Sequence, residues 1–227
     1  MTQLETLFSL VEPIKVIAKE IDYSNYVAID LSENNKDLEN YKLETAVDYE
    51  KYIQTFLEKN NAKIAYGGYL EKRNLYKRSS IFNTKNLEER NIHIGLDFWI
   101  NEQAKVYSCF DGIIHSLQNN TSHGDYGPTL ILEHEIEGFI FHSLYGHLSL
   151  ESLYDKNIGD SIQKGQTIAT LGLPPINGDY APHLHFQIII DIQNNFADYP
   201  GVCSTNDLEF YTNNCPNPNL ILKINNL

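Results

Sequence analysis

The 227-residue chain suits one domain, or one domain with a substantial extension, and its 42% hydrophobic residues are enough for a packed core. Seventeen Lys+Arg against 30 Asp+Glu give a net charge of −13 at pH 7. That charge repels nucleic acid and anionic membrane surfaces, and no basic cluster offsets it.

The first residues, MTQLETLFSLVEPIKV, lack the basic start and unbroken apolar run of a secretory signal, because Glu5, Glu12, Pro13 and Lys15 interrupt them. No stretch approaches the roughly 18 apolar residues of a membrane span. A cytoplasmic location is expected, or an extracellular or periplasmic one if a native signal has been removed. The sequence leaves the oligomeric state open. Leu4, Leu7, Phe8 and Val11 share one helical face, and Pro13 ends it. Tyr26–Leu31 reads as a short strand. Val47, Tyr49, Tyr52, Ile53 and Phe56 mark a second amphipathic helix, closed by the polar run 58–61. Tyr66, Tyr69, Arg73 and Tyr76 read as buried packing rather than as a groove wall.

From about residue 92 the pattern turns to β. Strands are expected at 106–110, 112–117, 129–134, 139–144, 167–171 and 183–190. Turn signals separate them, among them Asp111-Gly112, Glu137-Gly138 and Asn177-Gly178. The expected fold is mainly β: an antiparallel sheet sandwich or split barrel over residues 81–227, ending in a turn-rich tail. An α/β extension over residues 1–80 precedes it. Three cysteines, Cys109, Cys203 and Cys215, with no C-x-x-C pair, argue against a disulfide framework and a cysteine zinc site. Cys203 and Cys215 could pair in an oxidising compartment, but free thiols are the expectation.

Eight histidines are present, and three groupings stand out: His93-Ile94-Gly95-Leu96-Asp97, Tyr145-Gly146-His147 and His183-Leu184-His185. A catalytic zinc site uses three protein ligands and leaves a position for water. Four residues of extended strand span about 13 Å. His93 and Asp97 can therefore share an ion only if the chain bends between them, and Gly95 permits the bend. Strand alternation puts His183 and His185 on one face, with backbones about 6.6 Å apart, so one ring can bind a metal while the other faces water or substrate. Each motif is short and weak alone; the signal is their joint, ordered occurrence in a β-rich chain.

In that order, HIGLD, YGHLS and HLHF resemble the lysostaphin/LytM-type zinc metallopeptidases, peptidoglycan endopeptidases of the duplicated hybrid motif fold. VYSCFDGIIHSL and IGDSIQKGQTIATLG match that family's hairpins, and the resemblance covers about residues 90–192. It implies a single Zn2+ held by His93, Asp97 and His185, catalytic roles for His147 and His183, and a peptide or peptidoglycan-like substrate. ERNIHIGLDFW, DYGPTLILEHE and CPNPNLIL also resemble the peptidase-like module of bacterial kinase/aminotransferase fusion proteins. That likeness weakens the peptidoglycan assignment and leaves the metal site intact. On the implied mechanism, zinc lowers the pKa of its water to about 7, and His147 and His183 orient the water and move its proton.

His115, His134 and His142 are expected to be packing or surface residues, and His123 a solvated loop residue. One rival function is a non-catalytic binding or regulatory module on the same scaffold, which zinc content would separate. Another is a biotinyl or lipoyl carrier, suggested by Gly159–Gln166. The absence of a Met-Lys-Met context speaks against it, since Met1 is the one methionine.

Overall fold

The computed structural model describes residues 2–74, 89–100 and 103–224, so Tyr76 lies outside the described residues. Two N-terminal helices form where the apolar spacing places them, α1 (Gln3–Leu10) and α2 (Ala46–Lys59). Capping boxes start both, Thr2 with Glu5 and Thr45 with Asp48, which satisfies amide groups that a helix start leaves without partners. Strands β1 (Tyr26–Ala28) and β2 (Ile64–Gly67) flank α2 in sequence and pair in parallel. The intervening helix is the crossover that parallel pairing requires.

The remaining strands of the main sheet are β4 (Leu96–Ile100), β6 (Gly112–Asn120), β7 (Gly127–Ile136), β8 (Phe139–Gly146), β9 (Ser161–Ile162) and β11 (His183–Ile189). The eight strands lie in the order β1-β2-β4-β11-β8-β7-β6-β9, and every pair but β1–β2 is antiparallel. Two small sheets flank it: β5 (Lys105–Tyr107) with β10 (Thr167–Thr170), and β3 (Ile92–His93) with β12 (Val202–Cys203). Short helices α3 (Leu208–Asn214) and α4 (Asn219–Leu222) close the chain.

The expected mainly-β class holds, with one difference of form, the parallel pair β1–β2. Among the described residues no barrel closes, because the sheet ends on the short edge strands β1 and β9. The sheet is mixed rather than wholly antiparallel, because the extension contributes β1 and β2 and docks them on β4.

Alternation sorts the side chains of the sheet. Leu96, Phe98, Leu184, Phe186, Ile188 and Tyr145 point into the main core. Asp97, Trp99, His183 and His185 occupy the alternate positions and face the other way. On that second face a cluster with Ile131, Leu144, Ile189 and Tyr199 lies to one side. A cluster of Trp99 and Ala65 with α2 lies to the other. The three cysteines are buried free thiols. None of the described helices is long and apolar enough to cross a membrane.

Candidate metal centre

Strand pairing brings distant residues together. Register places Asp97 of β4 opposite His185 of β11, His183 opposite Trp99, and Gly146 of β8 opposite His185. Directly opposed residues hold their side chains within contact distance. His93 arrives from β3, one step before the break at Ile94-Gly95 that separates β3 from β4.

The break fulfils the expected bend, but glycine is needed there for another reason. Gly95 has no positive φ. A Cβ on it would lie 2.4 Å from His185 Cε1 and 3.0 Å from the Phe186 carbonyl oxygen. Gly95 is the space that the His185 ring occupies.

His93 Nε2, Asp97 Oδ1 and His185 Nδ1 form a triangle with edges of 3.3, 3.1 and 2.9 Å. All three residues are buried. A tetrahedral zinc shell has edges of roughly 3.3–3.6 Å, so small torsional adjustments open the triangle to that size.

The outer nitrogens decide what the inner ones can do. His93 Nδ1 donates to the Gly68 carbonyl at 2.9 Å, and His185 Nε2 donates to Gln187 Oε1 at 3.0 Å. Gln187 is oriented by its own donations to Pro200 O and Cys215 Sγ. Each inner nitrogen therefore carries a lone pair, and two imidazole lone pairs and a carboxylate face one another across the triangle. Their charge distribution fits a cation, and the donor set of two imidazoles and one carboxylate fits zinc.

Electrostatics agree. Burial, partly offset by Asp97, pushes His93 down to about 4, so it is neutral at pH 7 as ligation requires. Burial opposes ionisation of Asp97, but His93 and Arg73 outweigh it and hold the carboxyl well below the usual carboxylate range.

His147 and His183 stand beside the triangle, with ring centroids 4.2 Å apart. His147 Nδ1 donates to Asn177 O at 2.8 Å and His183 Nδ1 to Ala181 O at 2.7 Å, which leaves both Nε2 atoms as acceptors. His183 Nε2 lies 4.0 Å from Asp97 Oδ1, and its ring stacks on Trp99. Burial lowers both imidazoles, His147 well below its ordinary value. His147 holds φ = +61°, an unusual backbone state for a non-glycine residue and one that recurs at functional positions.

All five sequence-derived site residues thus line one cleft of about 230 Å³. Three further residues were not singled out as functional from the sequence. Gln187 had a signal, since it sits two positions after His185 on the same strand face. Tyr126 packs its ring 5.1 Å from His185 and 5.6 Å from His147 and donates to Tyr199 O. Arg73, expected to be packing, instead lines the cleft and binds Asp97 Oδ2 at 2.6 Å. Its companion Tyr66 is buried in the core as expected, and Tyr69 donates to Cys215 O. His123 is 59% exposed, 3.7 Å from Asp179.

Residues 91–196 match the model of Peptidase family M23. This segment is similar to that family. All five site residues fall inside the M23 segment, whereas Gly68 and Arg73 precede it. Among solved structures, the catalytic domain of the antimicrobial peptidase lysostaphin from Staphylococcus simulans is 25% identical. That alignment covers 67% of this chain and 94% of that one, with a TM-score of 0.38. Lysostaphin in a longer form is 26% identical over 53% of this chain, with a TM-score of 0.36, and this chain spans 44% of its length. The catalytic domain of the prophage-encoded M23 protein EnpA from Enterococcus faecalis, in a point-mutant form, is 18% identical. That alignment covers 52% of this chain and 84% of that one, with a TM-score of 0.37. No curated protein sequence matches the chain.

Proposed function

We propose that the chain is a zinc-dependent hydrolase that cleaves an amide or peptide bond, an endopeptidase with a peptidoglycan-type peptide as substrate. The reading rests on one observation: three lone-pair donors converge within 3.3 Å while the outer nitrogen of each imidazole is already bonded. The M23 match over residues 91–196 supports the same reaction class.

His93, Asp97 and His185 would hold one Zn2+. Bound zinc supplies Lewis-acid polarisation of a carbonyl and lowers the pKa of water at the open position. His147 and His183, neutral at pH 7, present Nε2 acceptors beside that position, and one of them would take up the single proton of the attacking water while the other stays neutral and orients it. That one imidazolium would stabilise negative charge developing on the carbonyl oxygen and then return its proton to the leaving amine. Stacking on Trp99 and the bond to Ala181 O fix the His183 ring, so it needs no reorientation during reaction.

The test pairs metal content with turnover on purified peptidoglycan cross-bridge peptides, followed by mass spectrometry of the released fragments. The native chain is expected to carry one zinc and release new amino termini. His147→Ala should keep its zinc and lose turnover, by the 10²–10⁴-fold typical of a lost acid–base group. Full turnover in His147→Ala, or no zinc in the native chain, overturns the assignment.

A further inference from the structure

Residues 68–73 stand outside the M23 segment yet are bound to both of its first two metal-ligand candidates. The backbone of this stretch runs alongside β3. Leu70 N donates to His93 O at 2.8 Å, His93 N to Glu71 O at 2.9 Å, and Arg73 N to Asn91 O at 2.9 Å. β2, just before it, pairs Gly67 with Asp97. Both main-chain segments that carry His93 and Asp97 are therefore held by the extension.

The polar contacts go further. The Gly68 carbonyl accepts from His93 Nδ1 and so fixes the tautomer that turns Nε2 inward. Gly68 has φ = +106°, and a Cβ there would fall 2.0 Å from Arg73 Nη2 and 2.9 Å from His93 Nδ1. Glycine is thus required by both conformation and space. Arg73, 2% exposed, donates from Nη1 to Asp97 Oδ2 and from Nε to Glu71 Oε2. Glu71 in turn accepts from Leu31 N through its other oxygen. The guanidinium plane also lies over Trp99, 5.6 Å from the ring centre.

Asp97 consequently has one oxygen committed to Arg73 and one, Oδ1, turned to His93 and His185. A carboxylate tied down in this way can offer a metal a single oxygen. That preserves three protein ligands and an open fourth position, the arrangement that distinguishes a catalytic site from a closed one.

We propose that Gly68–Arg73 forms the outer shell of the metal centre, with Gly68 and Arg73 as positioning residues for His93 and Asp97. The extension then completes the site rather than merely covering it. This inference rests on the zinc reading above and deepens it.

The test is zinc affinity of the full chain, by competition with a chromophoric chelator, together with the visible spectrum of the Co2+-substituted protein. Gly68→Ala and Arg73→Met should each weaken zinc binding by roughly 10–100-fold, the usual loss when an outer-shell partner is removed. Arg73→Met should also lower the Co2+ absorption intensity, as Oδ2 joins the shell and the coordination number rises. Arg73→Lys should recover part of the affinity, and it decides the question if Arg73→Met fails to fold. Lys51→Ala, an exposed position on α2 outside this stretch, should leave both readouts unchanged. Native affinity and a native Co2+ spectrum in Gly68→Ala and the folded Arg73 variants overturn this proposal alone. A native chain that takes up no zinc overturns the hydrolase reading instead.

Discussion

Two buried clusters of titratable side chains lie on opposite faces of the same sheet. On the core face, His134 of β7 sits with Cys109, Ser143 and Tyr145. On the other face lie His93, Asp97, His147, His183 and His185. Both clusters are buried and both contain histidine, and they differ in how their bonds close. His134 Nδ1 bonds to Asp111 O at 2.9 Å and Nε2 to Ser143 Oγ at 2.6 Å, so both ring nitrogens have partners within the protein. Burial opposes charge on His134 and on Cys109, yet each draws the other toward ionisation, so His134 is raised and Cys109 lowered. In the cleft the outer nitrogens are bonded and the inner ones face each other across a shared space. Burial and ionisable chemistry do not make a site; converging donors that leave room for a common partner do.

Substitutions on the two faces separate these descriptions, and the largest effect falls on the metal. His185→Ala should abolish zinc uptake, read as metal per chain by elemental mass spectrometry. His134→Ala should leave zinc stoichiometry intact but lower stability by about 2–4 kcal/mol. It opens a cavity, leaves the Asp111 carbonyl without its partner and removes one of the two side-chain bonds of Ser143. Denaturant unfolding measures that loss, and an equal loss of zinc in both variants would erase the distinction between the faces.

Gly95→Ala sharpens the comparison within the cleft. Its Cβ would displace the His185 ring, so zinc affinity should fall by about 10–100-fold with secondary structure retained. A native affinity would show that the ring has other room.

A smaller effect concerns pH. Burial pushes His93 and His142 each down to about 4, against about 6.5 in an unfolded chain. Between those values the unfolded metal-free chain takes up protons that the fold refuses, so stability falls as pH drops through that window. Urea midpoints of the metal-free protein should decline from about pH 6.5 to about pH 4. A flat or rising profile contradicts the burial of neutral imidazole.

Much of this was legible in the sequence because it is periodic or local. Alternation in His183–Ile190 located β11, and helical spacing located α1 and α2. The motif order HIGLD, YGHLS, HLHF brought five residues to one cleft. Gln187 was legible by the same two-residue period. Arg73 and Gly68 were not, because nothing local ties residue 73 to residue 97. Their proximity comes from β2 docking on β4, a register that the strand sequences do not specify alone. The close approach of Gly95 to His185 was hidden likewise, since a glycine between two strands reads as a bend whether or not a ring fills its place.

X-ray absorption at the zinc edge addresses the central claim most directly, because it reports the donors of whatever ion the full chain binds. The account predicts one zinc with two imidazole nitrogens, one carboxylate oxygen and a water oxygen at about 2.0–2.2 Å, and its loss in His185→Ala. A sulfur donor at about 2.3 Å would place the ion at a cysteine, such as Cys109 on the opposite face, and contradict it.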